Sequence, residues 1–483
     1  MKLLHIIKTA TLLAMLIACT DDDSFTQSPA FLLTFSQDTI KLDTVFSNVP
    51  TVTRDFWVYN HSGDGIRCST IRLERGNQSG FRVNVNGSYL GASTGFQTGN
   101  VEIRNKDSLR VFVEATTPYN NNNIPQLVED NLIFTLESGA TQKVNLNAYS
   151  WDAELLHNVR IDRDSTLSFQ TGKPIVIYGG IVVDSAATLT LPPGTTLFFH
   201  ADAGIDVYGR LLSQGEPGAE VTLRGDRLDR LFSNLPYDDT SGQWQGIHLR
   251  PSSYGNVLQY TDIHSTFDGI VADSSDVSQT TLTMLCSTVH NCQGYGIRAT
   301  NSQISLTNCQ ITNTLADCLF VDGGQADVNA CTIAQLYPFT AYIFQGMALH
   351  VNASVHPLDM FTCQNTLVTG AVNDVLLIEQ PKDTTQACNY RFSHCILRTP
   401  AVEDSIRFAN VTFEDAEDTT VVNGRKHFIT PQDYHFDFRL DSLSTAIDRA
   451  DPLTSPANDR QGQLRDERPD IGAYEWKPSN PSN

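Results

Sequence analysis

The sequence has no excess of basic residues and, after residue 18, no long apolar run. Of its 483 residues, 33 are Lys or Arg and 54 are Asp or Glu, which gives a formal net charge of −21. No block of clustered Lys and Arg occurs, so we predict no nucleic-acid binding and no docking on anionic headgroups. No stretch of about 20 apolar residues follows Cys19, which argues against a transmembrane helix. Long stretches with a period of 3.6 are also nearly absent, which indicates a mature protein that is almost all β.

The first residues combine a basic start, a short apolar core and a cysteine. Lys2 and Lys8 precede a run, residues 9–18, that is apolar or small. The run is too short to span a bilayer and is typical of a secretory signal. Leu16-Ile17-Ala18-Cys19 resembles the lipobox of bacterial lipoproteins. The resemblance implies a signal peptide of residues 1–18 and acylation of Cys19, which would anchor the chain by lipid. An ordinary signal peptide is the alternative.

Three aspartates follow that cysteine at once. Asp21, Asp22 and Asp23 do not favour a membrane surface, because anionic headgroups repel them. They resemble the acidic export tag of Bacteroidota-type lipoproteins, which implies a cell-surface location on the outer membrane. Inner-membrane retention in another lineage and a simple solvated linker are the alternatives. Residues 19–30 are then a polar tether.

Residues 31–150 have the pattern of a β-sandwich. Apolar and polar residues alternate in residues 56–60, 109–115, 131–138 and 143–150, and Gly, Asn and Pro clusters separate such runs. The order of these signals resembles the immunoglobulin-like domains of the ASPM/SPD2/Hydin type. We predict an immunoglobulin-like spacer or docking module there.

Residues 151–419 contain a repeat. Cys286, Cys309 and Cys331 follow one another at spacings of 23 and 22 residues. The segments that contain them, LCSTVHN, NCQITNT and ACTIAQL, resemble one another. A fixed period of this size with short β-prone segments indicates a solenoid. The segment resembles the right-handed parallel β-helix of the pectate-lyase-like superfamily, as do TLTLPPG (188–194) and WQGIHL (244–249). At about 22 residues a coil, we expect ten to twelve coils with strands about 4.8 Å apart.

Alignment of the coils predicts which side chains stack inside the helix. Ile270, Ile297 and Leu319 form one predicted column. A second predicted column contains Ile263, Val289, Ile311 and Ile333. The cysteines are expected to form a ladder of buried thiols, Cys286, Cys309 and Cys331, followed more loosely by Cys363 and Cys395. Parallel stacked side chains reach disulfide geometry with difficulty, so free thiols are favoured over disulfides.

Residues 420–483 are predicted to cap the solenoid. Residues 440–448 and 470–475 resemble the "LxxxSxAID" and "DIGAYE" phrases that end many β-helix surface proteins. We expect a structural role, in buried or half-buried ion pairs, for Asp448, Arg465, Asp470 and Glu475.

No complete catalytic motif is evident. Glycosidases on this fold need converging carboxylates, and the polygalacturonase group also carries Gly-His-Gly and Arg-x-Lys, neither of which occurs in residues 151–419. Lyases need a basic residue beside calcium-binding aspartates, and no such dense cluster is seen. A CxxC zinc site is absent as well. We therefore assign no catalytic residue, no metal and no cofactor, with calcium unsupported.

Two candidate binding regions remain. Coil alignment places polar and charged side chains on one outward face: His264, His290, Asp268, Asp273, Arg298, Asp317 and Asp322. This face could bind a metal or a sugar or contact a partner, and the alternative is the polar exterior that every solenoid has. The second candidate is an insertion of residues 225–242 with the tryptophan after it: Asp226, Asp229, Tyr237, Asp238, Asp239 and Trp244. Its aromatic rings suit stacking on a sugar or on a partner's loop, and a lid packed on the helix is the alternative.

Two functions compete on these observations. We favour a non-enzymatic surface lipoprotein that serves as a binding or scaffold subunit beside an outer-membrane β-barrel protein or another lipoprotein. The alternative is a polysaccharide-binding surface protein or, less favoured, a polysaccharide lyase or hydrolase. The fold alone does not distinguish between these two functions, because one fold is used for many functions.

Overall fold

A computed structural model describes residues 24–168, 172–340, 346–418, 420–432 and 434–478. The predictions for the signal peptide, Cys19 and Asp21–Asp23 lie outside these residues. The chain divides into two compact units, residues 1–152 and 153–483. Among the described residues, no helix is long and apolar enough to cross a membrane.

The first unit is a β-sandwich of two five-stranded sheets. Its strands are Thr34–Phe35 (β1), Thr39–Phe46 (β2), Arg54–Tyr59 (β3), Ile66–Leu73 (β4), Phe81–Val85 (β5), Ser88–Leu90 (β6), Gln97–Ile103 (β7), Ser108–Ala115 (β8), Gln126–Leu136 (β9) and Thr141–Trp151 (β10), with a 3₁₀ turn at Ala92–Thr94. One sheet has the order β1-β3-β8-β5-β6 and the other β2-β10-β9-β4-β7. Alternate residues of β8, from Leu109 to Ala115, are buried in the core between the sheets. The predicted sandwich is confirmed.

The second unit is a right-handed parallel β-helix, as predicted. Its strands are Glu154–Ile161 (β11), Ser165–Thr166 (β12), Ile175–Val183 (β13), Thr188–Leu191 (β14), Thr196–Phe199 (β15), Ile205–Val207 (β16), Arg210–Gln214 (β17), Val221–Gly225 (β18), Arg230–Phe232 (β19), Leu235–Pro236 (β20), Ile247–Leu249 (β21), Asn256–Gln259 (β22), Thr261–His264 (β23), Ile270–Ala272 (β24), Thr280–Leu285 (β25), Thr288–Cys292 (β26), Ile297–Thr307 (β27), Gln310–Thr314 (β28), Leu319–Asn329 (β29), Thr332–Gln335 (β30), Leu349–Asn352 (β31), Leu358–Gln364 (β32), Leu367–Gly370 (β33), Leu376–Glu379 (β34), Cys388–Ser393 (β35), Ile396–Leu397 (β36), Phe408–Ala409 (β37), Thr412–Phe413 (β38), Phe428–Thr430 (β39) and Asp437–Leu440 (β40). Short 3₁₀ turns lie at Tyr237–Asp239 and Gly424–His427.

Each coil contributes one strand to each of three parallel ladders. Ladder 1 runs through β15, β18, β23, β26, β28, β30, β33, β36 and β38. Ladder 2 runs through β16, β21 and β24, then through the first halves of β27 and β29, and then through β31 and β34. Ladder 3 runs through β14, β17, β22 and β25, then through the second halves of β27 and β29, and then through β32, β35 and β37. β11 and β13 each bend from ladder 1 into ladder 2.

The predicted columns of stacked apolar residues are confirmed by the register. Ile270 pairs with Ile297, and Ile297 pairs with Leu319. Ile263, Val289, Ile311 and Ile333 are likewise in register on ladder 1. All of these side chains are fully buried in one continuous core. A 22-residue coil that returns the same apolar position to the same ladder therefore builds the interior.

The predicted cysteine ladder is wrong in part. Cys309 and Cys331 do stack on ladder 1, and the amide N–H of Cys309 points at the Cys331 sulfur, 3.4 Å away. Cys286 is one position out of that register, because Leu285 pairs with Thr307 and so places Cys286 beside Asn308. Cys363 lies on ladder 3 instead. The one-residue difference between the two spacings, 23 and 22, is this shift in register. All described cysteines are thiols in the structure.

The C-terminal segment, described for residues 420–432 and 434–478, packs along the outward side of ladder 1 as well as near the last coils. Its apolar residues, among them Phe428, Phe438 and Ile471, form a second core with outward side chains of ladder 1 such as Leu367 and Ile396. Farther back, Arg460 donates to Thr288 and Glu220. The segment is therefore a strap along one side of the helix rather than a plug confined to its end.

Candidate functional site

The structure divides the predicted ligand face into separate groups. Asp268, Asp273 and Arg298 line an open groove on ladder 2. His264 and His290 project from ladder 1 and lie beneath the insertion. The remaining two aspartates form local pairs on ladder 2, Asp317 with His350 at 2.9 Å and Asp322 with His356 at 3.0 Å. The predicted alignment between coils matches the register of the strands. The residues do not share one face, however, because neighbouring ladders face in different directions.

The floor of the ladder-2 groove is formed by stacked glycines. A Cβ at Gly246 would lie 1.7 Å from the carbonyl oxygen of Asp268, and a Cβ at Gly180 would lie 2.9 Å from that of Gly204. Both residues also have positive φ, +85° and +86°, which glycine adopts without strain. Because no side chain fits there, successive coils leave a polar trough of about 600 Å³ along the floor.

Charged side chains form the walls of this trough. Nε2 of His248 lies 2.8 Å from the carboxylate of Asp273, and Arg250 donates from Nε to Asp206 at 3.0 Å. Asp268 accepts the backbone N–H of Tyr295 at 2.7 Å. These pairs hold the side chains in fixed positions before any ligand arrives, which reduces the entropy lost on binding.

Exposed aromatic and cationic groups lie at the rim. Phe267 is 47% exposed although it is a large apolar side chain. The guanidinium of Arg298 lies over the Tyr295 ring, 5.5 Å from its centroid. Tyr295 in turn stacks on Phe320, which contacts His350, with centroids 5.7 Å and 4.5 Å apart. The rim therefore offers both ring faces and charged donors, the combination that sugar rings and planar polar groups use.

Asp206, His248 and Arg250 also line this groove, although the sequence pattern did not indicate them. Asp206 pairs in register with His248, and His248 pairs with Val271, which precedes Arg298 in the same column. The insertion of residues 225–242 lengthens this coil and hides the 22-residue period there. Counting back from Ile270 to Ile247 across the WQGIHL phrase would have shown the alignment.

The second group is a charged cluster on ladder 1, here called the histidine cluster, made of Arg224, Asp238, Asp262, His264 and His290. Asp262 and His264 are two residues apart on one strand and so face the same way. Nδ1 of His264 lies 2.8 Å from Oδ1 of Asp262, and Nε2 of His290 lies 3.4 Å from the same oxygen. Nε2 of His264 faces Oδ2 of Asp238 at 3.1 Å, and Arg224 contacts that oxygen at 2.9 Å. The cluster is thus a network that joins three successive coils to the insertion.

The carboxylates set the protonation of this cluster. Burial alone would lower the pKa of His264, but Asp238 and Asp262 on either side raise it to about 10. The buried Asp262 carboxyl has a pKa well below its usual range, because His264 and His290 outweigh the effect of burial. Burial raises the pKa of Asp239, the neighbour of Asp238, against the opposing charge of His290.

The insertion is folded against ladder 1. β19 and β20 form a small antiparallel hairpin within it, and Leu235 is fully buried. Its acidic residues pair locally: Asp226 with His200 at 2.8 Å and Asp229 with Arg227 at 2.6 Å. The Arg227 guanidinium also lies 3.6 Å from the centroid of the Tyr237 ring. These contacts favour the lid alternative for this segment.

The predicted stacking role of Trp244 is wrong. Its side chain is fully buried, and the indole ring stacks on Phe199 with centroids 4.3 Å apart. The indole N–H donates to the carbonyl oxygen of His264 at 2.8 Å. Because the residue after an insertion returns the chain to the core, this large ring fills the interior and is not available to a ligand.

A second open groove, the ladder-3 groove, lies where the C-terminal segment meets the late coils. It has a volume of about 690 Å³ and is lined mainly by ladder-3 residues together with Asp451 and Thr454. Met360 is 45% exposed and Ile406 is 83% exposed on its walls. Arg407 lies over the Tyr390 ring at 4.8 Å. Its exposed apolar side chains are a methionine and an isoleucine, whereas the exposed apolar side chain of the ladder-2 groove is the aromatic Phe267.

The residues expected to act structurally near the C-terminus occupy buried positions. Arg465 pairs with Glu475 at 3.2 Å, both with side chains 2% exposed. Asp470 accepts the backbone N–H groups of Asp448 and Trp476 at 2.8 Å and 2.6 Å. Asp448 itself forms a more exposed pair with Arg468. Burial raises the pKa of Asp470 to about 7, with backbone hydrogen bonds opposing and the nearby Glu475 adding to the shift.

The comparisons with known proteins agree with this fold. Residues 164–333 match the family described as "Right handed beta helix region". No curated protein matches the chain. The fold and this match define a right-handed parallel β-helix protein.

Two solved structures show weak similarity. One is an ASH/PapD-like domain of human CEP192 (PapD-like domain 7), at 12% identity and a TM-score of 0.17, over 27% of this chain and 92% of that one. The other is a family 123 glycoside hydrolase from Clostridium perfringens, at 8% identity and a TM-score of 0.17, over 26% of each chain. Similarities this weak support no conclusion about function.

Proposed function

We propose that this protein is a lipid-anchored surface lipoprotein of the outer membrane whose β-helix binds a neutral polysaccharide in the ladder-2 groove. The observation that carries the proposal is the groove itself, a glycine-floored trough whose fixed carboxylates and arginines lie below an exposed aromatic rim. Carboxylates accept hydrogen bonds from sugar hydroxyls, and aromatic faces pack on sugar rings.

The charges of the groove select the ligand class. Asp202, Asp206, Asp268 and Asp273 line it, against two arginines, Arg250 and Arg298. The four carboxylates outnumber the two guanidinium groups, so the carboxylates and arginines of the groove are together net negative. The whole chain carries a formal charge of −21. A polyanionic glycan would be repelled. A neutral, hydroxyl-rich polymer is the ligand that this surface favours.

Binding is tested with the full chain and a panel of neutral and acidic polysaccharides, by affinity electrophoresis and calorimetry. We expect Arg298→Ala and Phe267→Ala each to weaken binding of a neutral glycan by about tenfold or more. Arg407→Ala is the matched control, since Arg407 also lies over a tyrosine ring but in the ladder-3 groove. Equal effects of the two arginine variants, or tighter binding of acidic glycans, would contradict the proposal. Unsaturated sugar ends absorbing in the ultraviolet would instead show a lyase.

The second candidate function is that of a scaffold subunit, and the ladder-3 groove favours it. Exposed Met360 and Ile406 beside a wide groove suit contact with a protein, since exposed apolar groups concentrate at such sites. The partner expected from the anchor is an outer-membrane β-barrel protein or another lipoprotein. Purification from native membranes in mild detergent should recover one such partner in stoichiometric amount, and Ile406→Asp should abolish that recovery. Recovery of the chain alone would argue against a scaffold.

The lipid anchor and the cell-surface location are proposed from the sequence pattern of Cys19 and Asp21–Asp23. Cys19→Ala should release the protein from the membrane fraction. Replacing the three aspartates by asparagine should leave it membrane-bound but protected from protease added to intact cells. If the asparagine variant stays accessible to protease, the acidic residues are only a linker.

A further inference from the structure

The histidine cluster presents three metal-binding atoms to one point. Asp262, His264 and His290 each offer one ligand atom, and these three atoms lie within 4.8 Å of one another. Tetrahedral ligands about 2.0–2.1 Å from a zinc ion are spaced roughly 3.4 Å apart. The separations from Asp262 Oδ1, 2.8 Å to His264 and 3.4 Å to His290, are close to that spacing.

The surroundings of His264 match those of a metal-binding imidazole. Histidines that bind metals usually donate their other ring N–H to a carboxylate, which fixes the tautomer and the ring orientation. Here Nδ1 faces the shared point while Nε2 faces Asp238 at 3.1 Å. Arg224 holds that carboxylate from the other side at 2.9 Å. Asp238 is thus placed as an outer ligand-orienting group rather than as a ligand.

Two further observations support a ligand at this point. The cluster is buried beneath the insertion, with the side chains of His264 and His290 only 9% and 13% exposed. Buried polar atoms are usually satisfied, yet Nδ1 of His290 and Oδ1 of Asp238 have no hydrogen-bond partner among the described residues. The carboxylates of Asp238 and Asp262 also flank His264 on both sides. Negative groups placed around one point favour a bound cation there.

We infer that Asp262, His264 and His290 form a binding site for a divalent transition metal such as Zn²⁺, which fastens the insertion to ladder 1 through Asp238. Two imidazoles and one carboxylate suit zinc or cobalt better than calcium or magnesium, which prefer all-oxygen sites. The fourth ligand position is open to water or to a nearby carboxylate. The site lies outside the ladder-2 groove, so it stands or fails independently of polysaccharide binding.

The test uses the full chain, stripped with chelator and titrated with Co²⁺ while the visible spectrum is recorded. We expect one equivalent to bind and to give the intense d–d bands of a tetrahedral or five-coordinate site. Zn²⁺ should displace the cobalt and raise the thermal midpoint. His290→Gln is the primary variant. Among the described residues, His290 contacts the polar atoms of the cluster through Nε2 alone, so its replacement should leave the fold intact. It should lower the metal affinity at least tenfold, as should Asp262→Asn.

Two controls separate this site from adventitious binding. His248→Gln removes an imidazole whose Nε2 lies the same 2.8 Å from a carboxylate on ladder 2, and it should leave cobalt binding unchanged. Asp238→Asn should weaken binding by about 10–100-fold through the outer contact. The absence of equimolar binding by the parent chain would overturn the inference. So would parent-like binding by His290→Gln, or an equal loss in His248→Gln.

Discussion

The imidazole rings of His264 and His290 lie one coil apart on ladder 1, with centroids 4.9 Å apart and planes inclined by 33°. Two histidines this close would repel each other if both were charged. The Oδ1 atom of Asp262 lies within 3.4 Å of a nitrogen of each ring. Both rings therefore contact the carboxylate of Asp262, and the insertion contacts His264 through Asp238.

The ion pairs of Asp238 should hold the insertion in place. Asp238→Ala removes the partner of both Arg224 and His264, which leaves two poorly solvated cations. We expect a loss of about 1.5–3 kcal/mol in the local stability of residues 225–242, seen as faster cleavage there by added protease. Asp202→Ala, an exposed acidic residue of the same charge, should leave the cleavage rate unchanged. Equal rates in the two variants would show that the hairpin packing alone secures the insertion.

Trp244 should act on stability and leave the chemistry of binding intact. Trp244→Ala opens a cavity against Phe199 in the core and should lower the free energy of unfolding by about 3–5 kcal/mol. Trp244→Phe should lose less, because it keeps a ring on Phe199. Denaturant unfolding of the full chain measures both. A wild-type midpoint in Trp244→Ala would contradict the buried position.

Asp470 should make the C-terminal segment less stable as the pH rises. Its carboxyl has a pKa of about 7 when folded and an ordinary value of 3.8. The folded chain therefore holds this proton more tightly. The resulting stabilisation is complete below about pH 4 and is lost as the pH passes through 7.

The measurement compares thermal midpoints of the parent and Asp470→Asn between pH 5 and pH 8. The variant lacks this titration, so its midpoint should fall less across that range. Asp226 and Asp239, whose pKa values are also raised by burial, titrate in both proteins and cancel in the comparison. Parallel curves would show that Asp470 is ionised throughout.

The Arg465–Glu475 pair should be costly to break singly. Both side chains are buried, and Arg465 also donates to the carbonyl oxygens of Asp470 and Gly472. Arg465→Met leaves a buried carboxylate without its partner and should cost about 3–5 kcal/mol. The double change to Arg465→Met and Glu475→Gln should recover part of that loss. An additive result would mean that the two side chains act independently.

Much of the fold could be predicted because the period of the sequence repeat, about 22 residues, equals the number of residues in one coil. Where the repeat is regular, as from Ile263 to Ile333, residue spacing gives the strand register. Cys286 shows the limit of this method, since one added residue in a turn moves a side chain out of its column. The coil that contains residues 225–242 shows the same limit on a larger scale.

The candidate sites were less predictable because they depend on which ladder a residue faces. Residue spacing alone grouped His264 with Arg298, although they belong to ladders 1 and 2. The alternation of Asp262 and His264 was a usable signal, since residues two apart on a strand share a face. Burial of Trp244 carried no comparable signal, because an aromatic residue beside an insertion is equally compatible with the core and with a surface.

The strap along ladder 1 has a consequence for biosynthesis. Arg460, from the last part of the chain to be made, is paired with Glu220 and Thr288, and Asn308 donates to the carbonyl oxygen of Asn458. A solenoid can add coils one by one as the chain emerges. Here the outer seam of the early and middle coils stays open until the residues around Arg460 have been synthesised. A chain that stops before Arg460 would therefore leave that seam uncovered and open to proteases, so incomplete copies should be degraded faster than complete ones.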